Sequence, residues 1–65
     1  MIRLTRVIHH GDYYLQNTAQ ADNLHLAVAT LPLSSYDSRD PAVIATSLAM
    51  GKRQYGWADY TVETF

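Results

Sequence analysis

The chain has 65 residues and no cysteine. That excludes disulfides and any thiolate metal site, and it fits a reducing compartment, so a cytoplasmic location is expected. An excess of one charge is also missing: five Lys and Arg stand against six Asp and Glu, for a net charge of −1. General nucleic-acid binders are basic, because phosphate neutralisation dominates their affinity. This chain is not basic, and it is not acidic enough to mimic DNA. No apolar stretch approaches the roughly 20 residues of a membrane helix, so no membrane contact is expected. The opening "MIRLTRVIHH" alternates and lacks the apolar run of a signal segment. Starting at Met1, the chain reads as a complete small gene product.

Motifs that carry chemistry are equally scarce. There is no Walker or dinucleotide glycine pattern. Ser34, Ser35, Ser38 and Ser47 all lie outside a G-x-S-x-G elbow. "HHGD" offers His9, His10 and Asp12, with Asp22 and His25 further on, and imidazole with carboxylate suits zinc or nickel. Adjacent histidines in a strand point to opposite faces, however, and no H-x₃-H spacing is present. No catalytic residue, metal or cofactor is expected. In so small a body, a pocket of the usual enzyme size would consume the core, so the chain is read as non-enzymatic.

What is present is a hydrophobic content of 48%, which speaks against disorder and for one domain over residues 1–65. A domain of this size buries only about 60% of its unfolded surface. With disulfides and thiolate metals excluded, idealised packing or a partner subunit must make up the difference.

Ile2 to His9 alternates as a strand does, with Ile2, Leu4, Arg6 and Ile8 on one face and Arg3, Thr5, Val7 and His9 on the other. His10-Gly11-Asp12 supplies a turn, and Tyr13 to Gln16 resumes a β-prone run, completing a hairpin. "NTAQADN", Asn17 to Asn23, reads as a loop. In "LHLAVATL", Leu24, Leu26 and Val28 alternate as a third strand, closed by Pro32. The polar "PLSSYDSRD" carries the chain over the sheet. Asp40-Pro41 opens a helix as N-cap and first residue. Ile44, Leu48, Gly51 and Tyr55 lie at helical spacing, Lys52 and Arg53 suit the C-terminal dipole, and Gly56 is a natural C′ residue. A glycine inside a helix costs about 1 kcal/mol. Gly51 therefore marks either a close approach of helix to sheet or the end of the helix. "WADYTVETF" alternates again as a return strand whose aromatics supply core area. The expected architecture is α+β, a small antiparallel sheet of three to four strands with one helix on one face, in the order β-β-β-α-β.

The capped helix "DPAVIATSLAM" and the return strand "GWADYTVETF", in a small chain without cysteine, resemble the plan of small phage-encoded proteins that inhibit host or defence complexes. Inhibitors of bacterial RNA polymerase and several anti-CRISPR proteins belong to this class. The resemblance is architectural and covers mainly residues 40–65. It implies a protein that blocks a larger complex by steric occlusion. From the residues themselves, the sheet face bearing Arg3, Thr5, Val7 and His9 is expected to be exposed, joined by one of Tyr13 and Tyr14. Exposed Tyr and Arg suit protein contact. Aromatics on a sheet also suit single-stranded nucleic acid, which the net charge disfavours. Unpaired sheet edges favour strand addition. The expected contact residues are Arg3, Arg6, Tyr13, Tyr14, Tyr36 and Arg53. The expected partner is a host protein complex or a second copy, as a homodimer through the sheet edge or face.

Overall fold

In a computed structural model, which describes residues 1–37 and 40–65, the central strand is the first one. β1 (Ile2–His10) and β2 (Tyr13–Ala21) form a hairpin. α1 (Leu24–Thr30), a 3-10 turn at Ser35–Asp37 and α2 (Pro41–Ala49) follow, then β3 (Gln54–Tyr55) and β4 (Ala58–Thr64). The sheet order is β2-β1-β4-β3, antiparallel throughout. The fold is thus α+β, as the sequence implies. Ser38 and Arg39, in the polar connection before Asp40, lie outside the described residues.

Both neighbours of β1 set its inward row. Ile2, Leu4, Arg6 and Ile8 face Ala21, Ala19, Asn17 and Leu15 of β2, and Thr64, Val62, Tyr60 and Ala58 of β4. Leu4 and Ile8 are fully buried there, against a cluster completed by Ala27, Val28, Leu31, Ile44, Ala45, Leu48 and Tyr60. The alternation read from the sequence holds along all of β1, with Arg6 inward.

Two elements of the first half of the chain differ from the sequence reading. Leu24–Thr30 is a helix, not a third strand, so two helices cover the sheet and the order is β-β-α-α-β-β. Over eight residues the two periods overlap: Leu24 and Val28 fit both alternation and an i, i+4 stripe. Leu26 separates them, because alternation would bury it and the structure leaves it 52% exposed. Asn23 decides the outcome as N-cap, its Oδ1 accepting the Leu26 N–H at 2.9 Å. The second difference is that β2 runs through Asn17 to Ala21 instead of yielding to a loop. The polarity of that stretch belongs to an edge strand with a solvated face. Thr18 and Gln20 are exposed, while small Ala19 is buried beneath the helices.

Helix α2 starts where the sequence places it. The Asp40 Oδ1 accepts the Ala42 N–H at 2.8 Å, and Pro41 takes the first helical position. It closes at Gly51, the second of the two alternatives the sequence left open, and Gln54–Tyr55, which the helical spacing placed in the same helix, form β3 instead. The Lys52 N–H reaches the Ser47 carbonyl at 3.1 Å and the Gly51 N–H reaches that of Leu48 at 3.0 Å, a Schellman closure with Gly51 at φ +96°. Gly51 breaks the stripe because closing the helix requires a left-handed residue. Lys52 and Arg53 lie beyond the last turn, yet the Arg53 Nη1 still donates to the Leu48 carbonyl at 2.7 Å.

Gly56 instead forms the turn between β3 and β4, at φ +60°. A Cβ there would stand 2.8 Å from the Tyr36 carbonyl oxygen. Gly56→Ala is therefore expected to cost about 1–3 kcal/mol, combining left-handed strain with a clash against backbone. Gly11→Ala, whose Cβ would meet nothing within 4 Å, is the control. Equal urea midpoints for the two variants would refute the close approach at Tyr36.

Candidate functional site

The expected role of the closing aromatics as core is only partly met. Tyr60 is buried and Tyr55 half-buried, but Trp57 is 56% exposed and Phe65 is exposed too. Trp57 lies outside β4, so the alternation that turns Tyr60 and Val62 inward does not place it. Trp57 sits in the tight turn before β4, where the Trp57 N–H donates to the Tyr36 carbonyl and the Trp57 carbonyl accepts the His9 N–H, each at 3.3 Å.

Three separate parts of the chain meet at this point. The Tyr13 and Tyr36 rings stack with centroids 4.8 Å apart and planes 20° apart. His10 lies edge-on to Trp57 at 4.4 Å and tilted against Tyr36 at 5.5 Å. The hairpin end supplies His10 and Tyr13, the 3-10 turn supplies Tyr36, and the β3–β4 turn supplies Trp57. Tyr13 and Trp57 remain exposed. A cleft of about 330 Å³ adjoins the cluster between Tyr36, Trp57, Tyr55 and Lys52, with the Lys52 Nζ 4.3 Å above the Tyr55 ring. Such a surface offers flat, amphipathic rings held by backbone on both sides, at low entropic cost to a partner.

Of the contact residues expected from sequence, the structure brings Tyr13 and Tyr36 together. Tyr14 lies on the open face of the sheet, edge-on to His9 at 6.3 Å. Arg3 is on that same face, paired with Glu63 at 3.6 Å and placed 4.9 Å over the Phe65 ring. Arg53 caps α2. Arg6 is not a surface residue at all. It is only 4% exposed, and this corrects its assignment as a contact. His9 and His10 diverge to opposite faces, as alternation requires. His10 and Trp57 are the residues the sequence reading missed. Trp57 sits in the turn before the return strand, and nothing in the sequence pointed to its meeting with His10 and Tyr36.

Arg6 instead anchors a buried polar group beneath the aromatic end. The register sets Asn17 and Tyr60 on either side of it, on the helix-facing surface. The Arg6 Nη2 donates to the Asn17 Oδ1 at 2.9 Å and to the Pro32 carbonyl at 2.7 Å, and Nη1 faces the Asp37 Oδ2 at 3.5 Å. The Tyr60 hydroxyl donates to the same Asp37 oxygen. The group thereby ties the 3-10 turn, and with it Tyr36, onto the centre of the sheet.

Burial first, then the hydrogen bond to Asp37, push the Tyr60 hydroxyl well above the ordinary tyrosine value. The fold thus favours the protonated phenol. The stability this contributes is fully present below the unfolded-chain pKa of about 10, and it is lost as pH rises from there through the folded-state value. Alkaline titration is expected to lower the urea midpoint of the wild-type chain above about pH 10, and Tyr60→Phe should flatten that decline. Parallel curves for the two proteins would show that Tyr60 does not drive it.

Among the described residues, no three His, Asp or Glu side chains gather as a metal site, and no helix is long and apolar enough to cross a membrane. No family model matches the chain, and no curated protein or solved structure shows significant similarity to it.

Proposed function

We propose that the chain is a non-enzymatic protein-binding module that presents its aromatic end to a larger protein complex and acts by occluding a surface of that complex. The observation that carries this reading is the stacked Tyr13–Tyr36 pair with Trp57 exposed beside it. Trp and Tyr dominate the energetics of protein contacts, and here three chain segments pin the rings before any partner arrives. Preorganisation of this kind lowers the ordering cost of binding. The architectural resemblance to small phage inhibitors suggests a host or defence complex as the target, within a bacterial cytoplasm.

A second reading is single-stranded nucleic acid stacked on the same rings, with Lys52 beside the cleft. The net charge of −1 weakens it. Affinity capture from a bacterial lysate with tagged full-length chain separates the two. The protein reading requires a stoichiometric complex that survives nuclease and is lost with Trp57→Ala and with Tyr13→Ala. Recovery abolished by nuclease would select the nucleic-acid reading. A nuclease-resistant complex captured equally by both variants would place the contact elsewhere.

A further inference from the structure

The two edges of the sheet are protected very differently. At the far edge, β3 spans only Gln54–Tyr55, and the stretch of β4 beyond it carries Glu63, paired with Arg3. Short edge strands and charged side chains are common defences against strand addition. The near edge is β2, nine residues long, in register with β1 from Ala21 to Tyr13 without a bulge. Its sequence, YYLQNTAQA, contains no charge, proline or glycine. Among the described residues, no backbone hydrogen bond joins β2 to any element but β1.

From this we infer that β2 is a self-association edge, along which two copies of the chain pair antiparallel about a two-fold axis. This goes beyond the aromatic contact site and does not depend on it. Outward-facing backbone groups fall on alternate residues of an edge strand. A two-fold axis through Asn17, the middle residue of β2, keeps that parity and sets outward groups opposite outward groups. On the helix side, Tyr13 then faces Ala21 and Leu15 faces Ala19, large against small. On the open side, Gln16 faces Thr18 and Tyr14 faces Gln20. A second copy is the fitting occupant because the strand is uncharged. About this axis a charge at position 17, or like charges at mirrored positions such as 16 and 18, would meet their own kind, and the strand carries none. The axis runs normal to the sheet, so the helices of both copies cover one face. The two α1 helices, which pack over β1 and β2, then approach each other across the junction, each with its exposed Leu26. An eight-stranded sheet would supply the additional burial that a 65-residue chain lacks. Antiparallel pairing also places the two aromatic ends at opposite ends of the joined strands, giving a bivalent assembly.

The test is the mass in solution across a dilution series from millimolar to low micromolar, by light scattering, for the wild-type chain and for Gln16→Lys/Thr18→Lys. Both positions are exposed on the open face, so the monomer fold is kept, as far-UV circular dichroism verifies. In the paired register each new lysine faces another. The wild-type chain is expected to pass from one-chain to two-chain mass with concentration, and the double variant to associate at least about tenfold more weakly. Amide exchange of the wild-type chain at the two concentration extremes gives a second readout. Alternate amides of β2 should gain protection in the dimer. The inference is overturned by a wild-type chain that stays at one-chain mass at millimolar concentration, by a lysine variant that associates as tightly as wild type, or by unchanged β2 amides. Association that survives the lysines and disappears with Trp57→Ala would assign self-contact to the aromatic end instead.

Discussion

Asp37→Ala is expected to cost about 3–5 kcal/mol, the cost of leaving a buried charge without its partner. Arg6 cannot follow its lost partner into solvent. It sits on the central strand with 4% exposure, tied to Asn17 and to the Pro32 carbonyl. Tyr60 loses its acceptor in the same step. The stability of a chain this short is about 3–10 kcal/mol, at 0.05–0.15 kcal/mol per residue. At the lower end of that range the variant is unfolded at 25 °C, and at the upper end it stays folded with a much lower urea midpoint. Removing both charges is a different experiment. Arg6→Met/Asp37→Leu replaces the pair with apolar groups of similar bulk, which is commonly neutral or stabilising. The double variant should recover most of the lost stability, leaving a coupling of several kcal/mol in the cycle. Urea unfolding of the wild type, Arg6→Met, Asp37→Leu and the double variant closes the cycle, with Asp37→Ala measured beside them. A loss below about 1 kcal/mol for Asp37→Ala would mean that the pair at 3.5 Å is no stronger than a surface contact.

The second large effect is expected in binding. Trp57→Ala should weaken the captured complex by about 2–4 kcal/mol, roughly 30- to 1,000-fold in Kd, as for a central aromatic hot spot. Stability should shift by no more than about 1 kcal/mol, because the ring is mostly exposed and packs chiefly on His10. The split between the two readouts is the point of the experiment. Tyr14→Ala, on the open face and away from the cluster, should leave affinity within about threefold, the range of near-neutral interface contacts. Calorimetric titration of the purified partner decides. Equal losses for Trp57→Ala and Tyr14→Ala would move the contact onto the open face of the sheet, where Arg3 and Tyr14 were first expected to act.

Local chemistry was legible wherever one signal stood unopposed. Asp40-Pro41 could open only a helix there, since Asp caps and Pro lacks the N–H that a helix interior needs. The alternation of Ile2, Leu4 and Ile8 with Arg3, Thr5 and Val7 announced both the strand and its buried face. It also revealed that Arg6 was turned inward, although its expected role as a contact required the opposite. Where two signals overlapped, sequence alone could not choose. Leu24, Leu26 and Val28 fit a strand, and Leu24, Ala27, Val28 and Leu31 fit a helix. The Asn23 cap and the packing of Ala27 and Val28 against the sheet resolved the choice. Gly51 had the spacing of a helix interior, and only the hydrogen bonds of Lys52 and Gly51 back to Ser47 and Leu48 identify it as the closing residue.

The sequence by itself determined the α+β class, the hairpin, the start of α2, the return strand and the inward row of β1, because each depends on neighbours within a few residues. Tertiary structure decided the rest. It set β4 beside β1, brought Asn17 and Tyr60 to either side of Arg6, laid Asp37 onto that row, and joined Tyr13, Tyr36 and Trp57 at one end of the sheet. Those meetings link residues 11 to 62 positions apart along the chain. No local periodicity records which distant strand becomes the neighbour, since that choice is made by burying all inward rows at once in a single register.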